Sequence, residues 1–333
     1  MDHSLAFPLL VGLIGLALAF DFLNGLHDAA NAIATVVSTR LLSPVAAVLF
    51  AAFGNFAAYW LVGLHVAETV GKGIVDKDAV TPAVVFGALV GAMFWNVVTW
   101  LKGIPSSSSH ALIGGLLGAG VAHGGLAVVQ SEGTIKTVSA IFLSPTIGFA
   151  IAMALMLLTS WLFKGLQPRG ANSMFKGLHL LSSAAYSISH GGNDAQKTMG
   201  IIAVLLYSTG HLGGEFHVPE WVVISCYLAI AMGTVSGGWK IIKTMGTGLT
   251  KLNHHTGFCA STAGSIVVFG ASAMGIPIST THAITGSVVG TGAARRASAV
   301  RWSVASRVIV AWFITIPASA GVGALFYLLT RLF

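Results

Sequence analysis

The sequence contains few charged residues and little cysteine. Asp, Glu, Lys and Arg together make up 8% of the 333 residues, whereas 55% are hydrophobic. A soluble globular domain carries about 25% charged residues, so that class of protein is excluded. The two cysteines provide no disulfide framework. The 41 glycines argue against a simple leucine-rich bundle, and the composition as a whole is that of a polytopic membrane protein.

Ten hydrophobic segments are predicted to cross the membrane, since a spanning helix needs about 20 apolar residues. The first segment contains a polar motif and is expected to be interrupted there. Two segments, 106–122 and 278–293, are short and glycine-rich, so either is alternatively one arm of a re-entrant hairpin. The ten segments lie at roughly 5–37, 44–69, 82–101, 106–122, 138–164, 178–207, 221–242, 256–274, 278–293 and 304–330.

The basic residues predict the orientation, because Lys and Arg accumulate in cytoplasmic loops. With ten crossings, four basic loops fall on one side, predicted to be the cytoplasm. The loop at 207–220 lacks Lys and Arg and falls outside, as do both chain ends. The net charge of +7 is attributed to these loops rather than to a nucleic-acid partner. The basic loop residues are Arg40; Lys164, Arg169 and Lys176; Lys240, Lys243 and Lys251; and Arg295, Arg296, Arg301 and Arg307.

Two segments of the chain occur twice. GIPSSSSHALIGGLLGAG fills residues 103–120, and GIPISTTHAITGSVVGTG fills residues 275–292, at a constant offset of 172. NGLHDAANA at 24–32 matches HGGNDAQKT at 190–198 at an offset of 166. Both matches together indicate an internal duplication, in which a small loop insertion accounts for the different offsets.

The duplication predicts the fold. Each half contains about five predicted crossings, and because this number is odd, two tandem halves lie upside down relative to each other. Inverted repeats with interrupted helices are typical of secondary transporters. We therefore predict an all-α polytopic membrane protein of two inverted repeats, 1–164 and 178–333, joined by a short cytoplasmic linker at 165–177. Interrupted helices or re-entrant hairpins are expected at its centre.

Two polar stripes run along predicted membrane helices, because residues three or four positions apart share a helix face. A charged group at the bilayer centre costs about 2.5–3.5 kcal/mol on insertion scales, so Asp28 and Asp194 are expected to face a cavity and meet partners. Their duplication favours an ion site; the alternative is that the stripes only hold helices together. The stripes comprise Asp21, Asn24, Asp28, Asn31 and Thr35, and Ser183, Ser187, His190, Asp194 and Thr198.

The other duplicated segments place Ser and Thr at two helix starts. Proline is preferred in the first helical turn, and Ser and Thr cap helix N-termini. The first amides of a helix have no internal partner, and together with hydroxyls and the positive dipole end they form an anion cradle. Ser106–Ser109 and Ser279–Thr281 are therefore candidate anion ligands, with ordinary capping as the alternative. The nearest cations are Lys102 and Lys197, and Lys197 is spaced to pair with Asp194.

The paired motifs resemble the PiT family of inorganic phosphate transporters. Gly-x-[Asn/His]-Asp occurs at 25–28 and 191–194, and Gly-x-Pro-x-Ser-[Ser/Thr]-[Ser/Thr]-His occurs at 103–110 and 275–282. The resemblance covers both halves and nearly the whole chain. It implies secondary active transport of phosphate coupled to sodium or protons, no enzymatic activity, and no cofactor besides the coupling cation. It also implies two inverted repeats whose hairpin segments meet at a central site.

The resemblance assigns residues to this site by position. The Ser/Thr tips would bind phosphate, with Gln196 as a helper, and the Asp and Asn residues of the other motifs would hold the coupling cation. The phosphate ligands implied are Ser106, Ser107, Ser108, Ser109, Ser279, Thr280, Thr281 and Gln196, and the cation-site residues are Asp28, Asn31, Asn193 and Asp194.

His27 departs from the family pattern, in which Asn often precedes the first Asp. A His variant resembles the bacterial low-affinity branch, which is described as proton-coupled and able to carry metal–phosphate complexes. Histidine exchanges protons near neutral pH, so we predict proton coupling with His27 as a proton site. The plasma (inner) membrane is the expected location. Sodium coupling stays open, and so does the oligomeric state, with a homodimer as one alternative.

Three other functions compete with phosphate symport. A sulfate carrier on the same scaffold would meet an anion without a proton to donate. An intramembrane serine hydrolase would need one activated serine with one base, whereas the hydroxyls here come in duplicated runs. An uncoupled channel would not accumulate its substrate.

Overall fold

The structure, a computed structural model, describes residues 7–332, and the chain ends, for which an outside position is predicted, lie beyond this range. The described chain folds into α-helices, short turns and single helical turns, and an isolated bridge joins Val75 and Val129. The α-helices are α1 (Phe7–Ser38), α2 (Pro44–Leu61), α3 (His65–Lys72), α4 (Pro82–Lys102), α5 (Ser108–Gly124), α6 (Ser131–Leu162), α7 (Pro168–Ser208), α8 (Glu220–Ser236), α9 (Trp239–Lys243), α10 (His254–Ala273), α11 (Thr280–Arg295) and α12 (Trp302–Leu329).

The predicted segments correspond to these helices with changed boundaries. Segment 44–69 is divided into α2 and α3, because Val62 adopts extended backbone angles at the end of α2. Segment 221–242 is divided into α8 and α9 at Gly237, which adopts a positive φ of 69°. The predicted linker at 165–177 is mostly helical, since α7 begins at Pro168, and proline suits the first helical turn.

Fewer than ten helices are long and apolar enough to cross a membrane alone. Within residues 7–332 six helices meet this condition, and counting the bent segment Glu220–Ser236 plus Trp239–Gly248 as one span gives seven. α5 and α11 have only 17 and 16 residues. α7 has 41 residues, but its many Ser, His and Asn side chains lower its mean hydropathy. The short α5 and α11 agree with the alternative of re-entrant arms.

The two helices that carry the Asp motifs are continuous, so the interruption predicted within the first segment is wrong. α1 and α7 run unbroken through their motifs. Gly25 instead allows α1 to pack closely on α8, because a Cβ at this position would lie 2.1 Å from the carbonyl oxygen of Ile230. The breaks lie at 103–107 and 274–279, immediately before α5 and α11.

The helices of the two halves pack in matching pairs across the molecule. α1 packs on α8 as α7 packs on α2, and α5 packs on α12 as α11 packs on α6. Within each half, α4 packs on α5 as α10 packs on α11. Each half therefore completes the packing of the other, which brings the duplicated motifs together.

Buried apolar side chains form two clusters, and the polar motifs lie between them. On α1 the first cluster extends to Phe20, and the second cluster begins at Ala30. On α7 the second cluster includes Tyr186, and the first cluster resumes at Ala195. Both Asp motifs therefore occupy a polar layer enclosed by apolar packing above and below.

Candidate functional site

The two Ser/Thr clusters form the N-termini of α5 and α11. Gly103 and Gly275 adopt left-handed backbone angles, with φ of 64° and 67°, and redirect the chain after α4 and α10. Ser107 Oγ accepts a hydrogen bond from the backbone N–H of His110 at 3.2 Å. Ser279 caps α11 in the same way at 3.1 Å. The predicted capping is confirmed, and we call residues 104–109 and 276–281 the first and second tips.

The tips lie side by side in the interior. The rings of His110 and His282, one turn into each helix, contact each other with centroids 4.5 Å apart. By helix geometry the amides of Ser108–Ser109 and Thr280–Thr281 point out of the N-termini, where the helix dipoles are positive. All seven Ser and Thr hydroxyl groups of the tips belong to buried residues. The tips thus combine neutral donors and partial positive charge, which suits an oxyanion.

The carboxylate of Asp28 meets both tips. Ser108 donates to Asp28 Oδ2 at 3.4 Å, and Thr281 donates to Asp28 Oδ1 at 3.3 Å. Asn31, one turn further along α1, donates to Thr281 Oγ1 at 2.8 Å. Within residues 7–332 no group donates to Asn31 Oδ1. We call Asp28, Asn31, Ser108 and Thr281 the first half-site; its oxygen atoms are of the kind that hard cations prefer.

His27 connects Asp28 to the first tip through α4. Its Nδ1 lies 2.9 Å from Asp28 Oδ1, and its Nε2 lies 3.0 Å from Thr99 Oγ1. Thr99 Oγ1 donates to the carbonyl oxygen of Trp95 at 2.9 Å and accepts from Ser106 Oγ at 2.9 Å. The roles of donor and acceptor at the two ring nitrogens depend on the tautomer of His27. His27 therefore places a ring that can bind a proton between Asp28 and the first tip.

The carboxylate of Asp194 meets the second tip directly and the first through Lys197. Thr280 donates to Asp194 Oδ2 at 2.9 Å. Lys197 Nζ donates to Asp194 Oδ1, to Ser109 Oγ and, at 2.8 Å, to the backbone oxygen of Ile278. The predicted pair of Asp194 with Lys197 is confirmed. We call Asp194, Lys197, Ser109 and Thr280 the second half-site.

Two predicted site residues lie apart from these contacts. Gln196 Oε1 accepts from the backbone N–H groups of Val66 and Ala67 at 3.0 and 3.3 Å, so its side chain holds the start of α3. Asn193 Nδ2 donates to Ser272 Oγ at 2.9 Å and, at 3.4 Å, to the backbone oxygen of Ile276 in the second tip, and so holds the end of α10. The role of Gln196 in phosphate binding and that of Asn193 in cation binding stay predictions, since the contact of Asn193 with the second tip is to a backbone oxygen.

Three further residues belong to the site but received no role from the sequence. Thr99 lies outside both motifs, and nothing in its position along α4 indicated the contact with His27. His190 Nδ1 lies 3.1 Å from Asp194 Oδ2, which its place four residues earlier on the second polar stripe could have indicated. Tyr186 donates to the backbone oxygen of Thr280 at 2.9 Å.

Comparison with known proteins identifies relatives along the whole chain. The model of the phosphate transporter family matches residues 24–323. The probable low-affinity inorganic phosphate transporter of Rhizobium meliloti (strain 1021) is 61% identical over 327 residues, which is 98% of each chain. The protein of the same name from Bacillus subtilis (strain 168) is 41% identical and covers 100% of this chain and 99% of its own.

A solved structure described as the sodium-dependent phosphate transporter resembles the described fold. Its TM-score is 0.88 at 26% identity, over 98% of this chain and 100% of that chain. The matched family region contains both Asp motifs and both tips. Since the family and these relatives are transporters, the hydrolase alternative is excluded and the protein is not an enzyme. The chain therefore belongs to the phosphate transporter family, as its motifs predict.

Proposed function

We propose that this chain is a symporter that carries inorganic phosphate into the cell together with protons. The observation that carries the choice of proton is the buried contact of the His27 ring with the carboxylate of Asp28, at 2.9 Å. The names of the relatives from Rhizobium meliloti and Bacillus subtilis support phosphate as the substrate.

Phosphate binds between the two tips, where hydroxyl and amide groups of Ser106–Ser109 and Ser279–Thr281 donate hydrogen bonds to its oxygen atoms. The tips themselves contain no Lys or Arg. A binding site built largely from neutral donors holds the anion without preventing its release. Hydrogen phosphate also carries a proton that a carboxylate such as Asp28 accepts, whereas sulfate does not, and this favours phosphate.

The need for a co-transported cation follows from the negative charge of phosphate. Moving one elementary charge across 100 mV is worth about 2.3 kcal/mol, so a divalent anion that enters a negative interior faces roughly 4.6 kcal/mol per 100 mV. The carboxylates of Asp28 and Asp194 also repel an anion at the tips. A proton held by His27 and Asp28 removes one negative charge and so reduces both effects, and it leaves with the phosphate on the inner side.

Uptake into proteoliposomes under separately imposed proton and sodium gradients tests the proposal. We expect an inward proton gradient to drive phosphate accumulation without sodium. Because asparagine cannot titrate, His27→Asn is expected to flatten the pH dependence of uptake between about 5.5 and 7.5. The matched control is His211→Asn, since His211 is an exposed loop histidine whose ring hydrogen-bonds to Thr209, away from the tips.

Two results would refute proton coupling. One is a strict requirement of the wild type for sodium, and the other is an unaltered pH profile in His27→Asn. A channel would be revealed by the absence of uphill accumulation under either gradient, and a sulfate carrier by competition of sulfate with labelled phosphate.

Sodium is the second candidate for the coupling cation. It is favoured by the description of the similar solved structure as a sodium-dependent phosphate transporter and by the free oxygen of Asn31 beside Asp28. A divalent metal carried as metal–phosphate is a further alternative, which the same assay distinguishes by a requirement of uptake for magnesium or calcium.

The proposal includes the architecture of two inverted repeats, 1–164 and 178–333, joined at 165–177 and inserted in the plasma (inner) membrane. The matching packing of α5 on α12 and of α11 on α6 supports a twofold relation between the halves. In this arrangement the basic loops are cytoplasmic, and the chain ends are outside.

A further inference from the structure

The two half-sites are built from equivalent positions of the duplicated sequence, with one chemical difference. Asp28 and Asp194 correspond at the offset of 166 residues, and so do Asn31 and Lys197. The second half-site thus carries an ammonium group at the position where the first carries a carboxamide.

The contacts of these side chains correspond as well. The hydrogen bond from Asn31 to Thr281 in the first half-site is the counterpart of the bond from Lys197 to Ser109, because Ser109 and Thr281 are equivalent at the offset of 172. The carboxylates also have equivalent contacts, because Ser108 donates to Asp28 as Thr280 donates to Asp194. The two half-sites therefore share one geometry.

The ammonium of Lys197 has the surroundings of a bound cation. Its three donors meet a carboxylate, a hydroxyl and a backbone carbonyl, from Asp194, Ser109 and Ile278. Oxygen atoms of these kinds coordinate coupling cations in transporters. Lys197 is only 1% exposed, so this charge is fixed in the interior. In the first half-site, by contrast, Asn31 Oδ1 receives no hydrogen bond from the described chain.

We infer that the ammonium of Lys197 permanently fills the cation position of the second half-site, so that an exchangeable cation binds only at the first. Lys197 thereby lowers by one the number of cations that move with each phosphate. The inference rests on the proposed use of this site for cation-coupled phosphate transport, but it holds whether the exchangeable cation is a proton or sodium.

Lys197→Asn tests the inference by giving the second half-site the side chain of the first. Wild type and variant are compared in proteoliposomes with equal sodium and equal pH on both sides and an imposed potential of about 60 mV, negative inside. One additional charge per phosphate is expected to raise the steady accumulation ratio of the variant about tenfold above that of the wild type. In the purified variant, sodium is expected to raise the thermal unfolding temperature more than in the wild type.

Two matched variants separate the cation position from a structural ion pair. Lys197→Met removes the charge without supplying an oxygen ligand, so it should gain neither the accumulation nor the response to sodium. Asn31→Lys is the mirror change; it fills the first half-site, and we expect it to lose the cation-induced thermal stabilisation and the driven accumulation of phosphate. Size-exclusion profiles establish that each variant is folded.

The inference is overturned if Lys197→Asn keeps the wild-type accumulation ratio and the wild-type response to sodium, or if Lys197→Met responds to sodium as Lys197→Asn does. A wild type that requires sodium would overturn the proton coupling proposed above. The tenfold difference between variant and wild type would still be expected in that case, so the two failures are distinguishable.

Discussion

Single side chains give two equivalent carboxylates different surroundings. Asp28 contacts the imidazole of His27, whereas Asp194 contacts the ammonium of Lys197 and the ring of His190. A carboxylate in the membrane interior is tolerated because it meets such partners. In the proposed mechanism, these surroundings make Asp28 the carboxylate whose charge changes during transport and Asp194 the one whose charge is balanced by Lys197.

Replacing either carboxylate by its amide is expected to abolish concentrative phosphate uptake, because Asp28→Asn removes the charge that holds the exchangeable cation and Asp194→Asn removes the charge that holds the ammonium of Lys197. Asp28→Asn should remain folded, since the amide oxygen still accepts from Thr281 and the amide N–H can donate to the hydroxyl oxygen of Ser108. Asp194→Asn leaves the ammonium of Lys197 buried without its carboxylate, which should cost about 3–5 kcal/mol of stability. Uptake in proteoliposomes and thermal unfolding measure the two effects.

The controls use the same side-chain chemistry. Asp78→Asn changes an exposed carboxylate in the loop before α4 and should leave uptake at the wild-type level. The double variant Asp194→Asn with Lys197→Met removes both buried charges and should regain stability without regaining uptake. Wild-type accumulation in Asp28→Asn or in Asp194→Asn would contradict the assignment of that carboxylate.

Among the secondary-structure elements, the sequence predicted the tips better than the helices that surround them. The order Gly-x-Pro-x-Ser requires a turn followed by a helix start, and both parts are local, so the caps at Ser107 and Ser279 follow from the sequence. The continuity of α1 through its motif was not predicted, because Gly25 is explained by α8, which lies some 200 residues away in the chain. The tips could be predicted because their signals are local in the sequence. The continuity of the surrounding helices depends on packing between segments that are far apart in the chain.

Removing hydroxyls from a tip is expected to weaken phosphate binding more than folding. Each hydrogen bond lost to a charged group is worth about 1.5–3 kcal/mol, or roughly 10- to 150-fold in affinity. The change is Ser107→Ala with Ser108→Ala, or Thr280→Ala with Thr281→Ala, and the measurement is phosphate titration of the purified protein. Ser298→Ala, in an exposed turn after α11, is the control. Unchanged affinity in both tip variants would reduce the tips to helix caps.

In the molecule as a whole, the duplication is readable in the sequence, but the contacts between the halves are not. The offsets of 166 and 172 residues predicted which positions are equivalent. The contact of Lys197 with Ser109 joins residues 88 positions apart, and that of Asp28 with Thr281 joins residues 253 positions apart. Such contacts depend on how one half packs on the other, which no local pattern encodes.

The relative orientation of the halves is testable with one pair of equivalent loops. Asp78 lies in the turn between α3 and α4. Lys251 lies in the turn between α9 and α10, next to the position that is equivalent to Asp78 in the second half. Both are exposed. If the repeats are inverted, the two loops face opposite sides of the membrane, whereas parallel repeats place them on the same side. The positive-inside rule assigns Lys251 to the cytoplasm and Asp78 to the outside.

We expect Asp78→Cys to react with a membrane-impermeant maleimide in intact cells and Lys251→Cys to react only after permeabilisation. Both changes are made in a background in which the buried Cys226 and Cys259 are replaced by alanine. Gly213→Cys, in the loop after α7 predicted to be outside, serves as the positive control for labelling of intact cells. Labelling of both test positions from the same side would contradict the inverted arrangement.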